Sequence, residues 1–229
     1  MSKKKPLMKQ KLAVGIGVSL IAVVLIYVLT LIIKDTPLGE YVEGEHYQLI
    51  ENPRRMRGEK IQVAEVFSYA CVHCYNLETD LMEWAEDNQQ QVEFIRIPAV
   101  SNSSWRVLAR SYYSMEILGI LEKNHLKTFS AIHDKKANLS TPERFADFID
   151  GRGTSKEEFL ETYASEEVTR LMKNADSLQR RFKVATTPSL VIKGMYLVTT
   201  SQQVGRSRIL DVVEHLVEKE LAAKGASTD

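Results

Sequence analysis

The hydrophobic pattern begins with a stretch that has no period at all. Met1–Lys11 carries Lys3, Lys4, Lys5, Lys9 and Lys11 and no acid, and Leu12–Ile33 then carries no charge. An apolar run of roughly 22 residues is long enough to cross a bilayer and longer than a secretory core segment. No small-x-small cleavage site follows before Lys34. The pattern predicts an uncleaved transmembrane anchor over 12–33 behind a basic cytoplasmic tail, 1–11, with the rest of the chain on the far side. A cleaved signal peptide is the alternative. Residues 34–44, with Pro37 and Gly39, read as a linker.

Beyond the linker the pattern alternates between strand and helix periods. His46–Ile50 reads as a short edge strand. Ile61–Phe67 is a β-branched and aromatic run, hence a strand. Leu77, Leu81 and Trp84 then recur at helix spacing. Val92–Ile97 is a second strand, stopped by Pro98. From Ser101 to Phe182 the pattern is helical throughout. Trp105, Leu108, Tyr112, Met115 and Leu118 form a stripe behind Ser103 and Ser104 as capping candidates. Leu126, Phe129 and Ile132 predict a shorter helix. Ser140-Thr141-Pro142-Glu143 has the spacing of a capping box from Ser140, and Thr154–Glu158 repeats a helix start. Val168 to Phe182 is the last helix of this block. Pro188 then heads an apolar strand, Ser189–Ile192, a position where a missing N–H is tolerated. Lys193-Gly194 turns the chain, Met195–Val198 returns antiparallel, and Ser207–Lys224 is a closing amphipathic helix. His125, His133 and the aromatics of the block read as surface or packing residues.

Charge narrows the function classes. The chain has 30 basic and 30 acidic residues, and no basic cluster lies outside the N-terminal tail, so nucleic-acid binding has no electrostatic support. The chemistry concentrates in Phe67-Ser68-Tyr69-Ala70-Cys71-Val72-His73-Cys74-Tyr75, which holds both cysteines of the chain. Cys71 falls where a strand ends and a helix begins. Unpaired N–H groups and the helix dipole there favour thiolate, the reactive form. His73 can add a donor or a positive charge. Cys74, one turn on, can close a small ring with Cys71, and such a dithiol exchanges disulfides with other proteins. Half of a zinc site is the competing reading, but the other histidines are scattered and no second cysteine pair exists to complete four ligands. A purely structural bridge would close too short a loop to gain much. Glu65 shares a side of its strand with Ile61, Val63 and Phe67. It either enters the interior below the cysteines, where it could accept a proton, or lies on a partly exposed strand.

The order strand, Cys-x-x-Cys helix, strand, then Pro-headed strand, strand and helix resembles the thioredoxin fold. With a helical block between the halves, the chain is similar to the DsbA family of exported thiol:disulfide oxidoreductases. Phe67-Ser68-Tyr69, Cys71-x-His73-Cys74-Tyr75 and Thr187-Pro188 carry the resemblance. It implies an α/β, thioredoxin-like fold with a helical domain inserted between its two halves, preceded by the transmembrane helix. The corresponding boundaries are 45–99 and 174–224 for the halves, 100–173 for the insertion and 225–229 for a tail. The resemblance further implies Cys71 as nucleophile, Cys74 as resolving cysteine, His73 as tuning residue, Glu65 as the buried acid, and a cis Pro188 beside the disulfide. Thr187 and Pro188 are then expected to form the substrate-docking edge. A depressed cysteine pKa likewise comes from the resemblance.

The implied activity is introduction of disulfides into unfolded or reduced exported proteins, with no cofactor and no metal. A DsbB-type membrane quinone reductase would restore the oxidised form. The implied location is the bacterial inner membrane, single-pass, with the catalytic domain in the periplasm. An isomerase or reductase of the same fold and a chaperone-like binding module are the alternatives. Two departures stand out. Val72 occupies a position that is often Pro in the family. The Lys that accompanies the buried acid is replaced near Gln89–Gln91, leaving Arg96 as its candidate substitute.

Overall fold

The computed structural model describes residues 41–51, 53, 58–201 and 204–225, together with Ile21, Val23 and Leu25, which are helical. The predicted anchor and basic tail otherwise lie outside the described residues. No helix among the described residues is long and apolar enough to cross a membrane. Residues Tyr41–Asp229 form one unit, separate from Met1–Glu40.

A five-stranded mixed sheet organises the larger unit. Its strands are β1 (Gln48–Leu49), β2 (Ile61–Phe67), β3 (Val92–Pro98), β4 (Ser189–Ile192) and β5 (Tyr196–Thr199), in the spatial order β1-β5-β4-β2-β3. Only β2 and β3 are parallel. Their connection is α1 (Val72–Asp87), the crossover that a parallel pair requires. β2 lies inside the sheet, between β4 and β3, and is buried along nearly its whole length, which is why its sequence reads as an almost continuous apolar run. Alternate residues of β4 serve two cores. Leu190 and Ile192 join Leu77, Leu81 and the apolar face of α7 (Arg206–Gly225), while Val191 joins the core shared with the helical block.

That block comprises α2 (Ser103–Ile117), α3 (Leu121–His133), α4 (Pro142–Ile149), α5 (Lys156–Ala164) and α6 (Glu166–Arg181). α6 runs without interruption across residue 173, where the sequence pattern sets the junction with the second half. Two caps differ from expectation. The N-cap of α2 is Asn102, whose Oδ1 accepts the Trp105 N–H at 2.9 Å, so Ser103 and Ser104 lie inside the first turn. The N-cap of α4 is Thr141, because Pro142 takes the first helical position with its fixed φ. Ser140 instead donates to Asn138 Oδ1 at 2.6 Å. On α3 the apolar stripe is displaced: Leu126 is 41% exposed, while Asn124, His125 and Thr128 are buried.

Candidate active site

After Phe67 the chain turns through Ser68–Cys71, closed by the Cys71 N–H to the Ser68 carbonyl at 2.9 Å. Cys71 then caps α1. Its backbone is extended (φ −90°, ψ 111°) and its Sγ accepts the Cys74 N–H at 3.3 Å. Sulfur thus fills the place that a serine or aspartate oxygen usually takes, at the positive end of the helix. The two cysteines are unbonded thiols and differ sharply in access: Cys71 is half-buried and Cys74 fully buried.

Their acidities diverge accordingly. The Cys71 pKa is lowered to about 5, first by the hydrogen bond with Cys74. Burial works against this, and Thr187 and the backbone N–H groups of Cys74 and His73 add to it. The Cys74 thiol is pushed far up, by burial above all, then by its bond to Cys71 and the charge of Glu65. Proton and charge are therefore segregated within one turn of helix. His73 is exposed, and its effect on the sulfur runs through its backbone.

The second half of the fold closes the other side. The Cys71 thiol donates to the Thr187 carbonyl at 3.4 Å, and the Thr187–Pro188 peptide is cis. Pro188 is buried and Thr187 half-buried. Val72, next to Cys71 in the chain, leaves 46% of its surface exposed.

Beneath Cys74 lies a buried polar cluster. Glu65, fully buried, sits opposite Arg96 on β3 and Leu190 on β4. Arg96 Nε is 3.7 Å from Glu65 Oε2, but Arg96 Nη2 donates to Glu78 Oε1 at 2.5 Å. Among the described residues neither oxygen of Glu65 has a hydrogen-bond partner. Burial first, then the Glu78 charge, raises its carboxyl well above the ordinary range, against the pull of Arg96. Glu78 behaves oppositely. Burial raises it, but His125 and Arg96 together outweigh burial and hold it ionised.

His125 belongs to this cluster and is not a surface or merely packing histidine. Its Nε2 is 3.2 Å from Glu78 Oε1 and its Nδ1 is 2.7 Å from the Tyr69 hydroxyl. Burial lowers its pKa despite Glu78, so the ring is neutral. Nε2, facing a carboxylate, carries the proton, and Nδ1 accepts from Tyr69. His133 is also a contact residue: its Nε2 donates to the Tyr69 carbonyl at 2.9 Å. Sequence reasoning missed Glu78 and both histidines. The available signal was spacing, since Glu78 stands four residues after Cys74 and three before Leu81, on one helical face. Among the described residues no group of three or more His, Cys, Asp or Glu side chains is placed to hold a metal ion.

No family model matches the chain. Individual relatives do. The chain is 34% identical over 185 residues to the thiol:disulfide interchange protein DsbA of Pseudomonas aeruginosa, covering 80% of this chain and 88% of that one. It is 33% identical over 191 residues to the protein of the same name from Azotobacter vinelandii, 83% and 87% of the two chains. The crystal structure of Pseudomonas aeruginosa DsbA superposes with a TM-score of 0.76 at 34% identity, over 81% of this chain and 97% of that one. The oxidoreductase DsbA from Xylella fastidiosa gives 0.74 at 30% identity, over 80% and 98%. With the thioredoxin-like sheet, the split pair of cysteines and this degree of identity in hand, the chain belongs to the DsbA family of thiol:disulfide interchange proteins.

Proposed function

We propose that the chain introduces disulfide bonds into exported proteins, with Cys71 and Cys74 as the redox pair. The observation that carries this reading is the split acidity of the two sulfurs, one held as thiolate at a helix N-terminus and one kept protonated in the core. A substrate thiolate attacks Cys71 Sγ of the resting disulfide. The S–S bond breaks, Cys74 leaves with the electron pair and takes up a proton, and a mixed disulfide forms. A second substrate thiolate attacks the substrate sulfur of that bond, and Cys71 leaves as thiolate. The two electrons of the substrate dithiol end on the enzyme. A low pKa makes Cys71 a good leaving group, and the same stabilisation favours the dithiol over the disulfide. Reoxidation needs an acceptor, and a DsbB-type membrane quinone reductase suits the chemistry.

Glu65, without a hydrogen bond among the described residues and close enough to Cys74 for its charge to act on that thiol, is the acid-base group for the Cys74 proton. His73 tunes the nucleophile. Thr187 and Pro188 form the docking edge, where an extended substrate pairs with the Thr187 main chain as in strand addition. The helical block, 100–173, is an insertion between the thioredoxin halves 45–99 and 174–224. The anchor reading for 12–33 rests on its charge-free sequence and on Ile21, Val23 and Leu25, which are helical and 61–62% exposed. It sets the catalytic unit in the periplasm, tethered to the inner membrane.

The test is the redox equilibrium of the purified protein with glutathione, together with thiolate absorbance of the reduced form against pH. The Cys71 thiolate should titrate near pH 5, and the disulfide should be more oxidising than that of glutathione. An unshifted Cys71, near the roughly 8.5 of a free thiol, overturns it.

A further inference from the structure

Helix α3 grips one residue of the active-site turn at both ends. His125 Nδ1 accepts from the Tyr69 hydroxyl at 2.7 Å, and His133 Nε2 donates to the Tyr69 carbonyl at 2.9 Å. The two histidines stand eight residues apart, a little over two turns, and so lie on one helical face. Tyr69 is almost fully buried and occupies the turn Ser68–Cys71 that launches the Cys71 cap. The first turn of α1 is tied to the same place. Tyr75 stacks on His133 with ring centres 5.2 Å apart and planes at 10°, and its hydroxyl donates to Asp134 at 2.7 Å. Behind His125, Nε2 lies 3.2 Å from Glu78 Oε1, the oxygen that Arg96 clamps.

We propose that His125 and His133 are positioning residues, which hold Tyr69 from its two ends and thereby fix the turn carrying Cys71 against the helical insertion. The inference deepens the redox reading of the same site and rests on it. The Cys71 thiolate depends on short contacts with backbone N–H groups of the first turn, foremost the Cys74 N–H at 3.3 Å. Each fades steeply with distance and angle. A turn released from α3 swings the sulfur off these partners. The insertion is then part of the chemistry of the nucleophile, and not only its cover.

The two ring nitrogens of His125 can be separated by substitution. His125→Asn keeps an acceptor near the Nδ1 position for Tyr69. His125→Gln keeps a donor near the Nε2 position for Glu78 and loses the acceptor. His133→Gln keeps a donor to the Tyr69 carbonyl and His133→Leu loses it. Tyr69→Phe removes one hydroxyl and nothing else. In the reduced full chain the Cys71 thiolate titration should move up by about 0.4–1 pH unit in Tyr69→Phe, His125→Gln and His133→Leu, the equivalent of one net hydrogen bond. His125→Asn and His133→Gln should stay near the parent. The glutathione equilibrium should move in step. Melting of the oxidised forms tells a general loss of stability from a shift confined to the sulfur. A Cys71 midpoint unchanged in Tyr69→Phe and His133→Leu overturns the proposal, as does an equal shift in the donor-keeping His133→Gln. A parent protein with an ordinary Cys71 sinks the redox reading instead, so the two failures are told apart.

Discussion

Two buried carboxylates of this molecule sit in similar company and meet opposite fates. Glu220, on α7, receives Lys193 Nζ at 2.6 Å and the Tyr196 hydroxyl at 2.7 Å. Lys219 lies over the Tyr47 and Tyr196 rings beside it. Burial raises the Glu220 carboxyl, yet its two donors prevail and the net shift is downward. Glu65, on the interior strand β2, has a guanidinium 3.7 Å away but no hydrogen bond among the described residues, because Glu78 has captured that guanidinium. Its net shift is upward. Hydrogen bonding, more than proximity to a positive charge, decides whether a buried carboxylate is ionised. A satisfied group ties a helix to a sheet. An unsatisfied one is left able to gain and lose a proton, and it is the one beneath the cysteines.

The contrast can be broken most severely at Arg96. Arg96→Leu leaves Glu78 ionised and buried without its cation, and the protein should lose about 3–5 kcal/mol in urea unfolding. A loss no larger than that of an exposed arginine shows that Glu78 does not depend on the pair. At the other cluster, Glu220→Ala strands the Tyr196 hydroxyl and Lys193. It should cost about 1–3 kcal/mol and leave the Cys71 titration where it was. Movement of that titration contradicts the separation of the two clusters.

The smallest effect sharpens the comparison furthest, because the two sites should give pH slopes of opposite sign. Glu220 lies below its unfolded value. Its contribution is present above the unfolded carboxyl range, about 4.3, and is lost as pH falls through the folded value. Glu65 lies above its unfolded value, so its contribution is full below about 4.3 and is lost as pH rises through the folded value. Glu220→Gln should therefore weaken the protein more at neutral pH than in acid. Glu65→Gln should gain on the parent as pH rises toward neutrality. Unfolding free energies measured across this pH range decide the matter, and slopes of the same sign end the comparison.

The sequence carried the fold well wherever one period dominated. β2, α1, β4 and the Cys71-x-x-Cys74 corner follow from alternation, helix spacing and one proline. Glu65 was half legible: its place on the strand was clear, its burial was not. Glu78 and His125 were opaque for a physical reason. A polar residue on an amphipathic helix is ordinarily outside, and what draws these two in is a partner on another element, Arg96 for one and Tyr69 for the other. Leu126 pointing outward is the reverse side of that exchange. Arg96 could be named as substitute for a missing lysine, but that it serves Glu78 first depends on geometry across β3 and α1. The caps slipped by one or two residues because several Ser, Thr and Asn side chains competed for each helix start.

The contact between Cys71 and Thr187 joins positions 116 apart. A ribosome adding about 5–20 residues each second needs roughly 6–23 s to cover that interval. The helix bearing the two thiols is thus made well before the strand that faces them. Throughout that time β2 lacks β4, its antiparallel neighbour, and Cys71 has a helix N-terminus behind it but no wall in front. The growing chain carries a dithiol whose thiolates can attack any passing disulfide before the strand that faces them exists. The facing wall arrives last, with the final fifth of the polypeptide, so a product truncated ahead of Thr187 keeps the thiol pair and lacks the carbonyl that Cys71 meets.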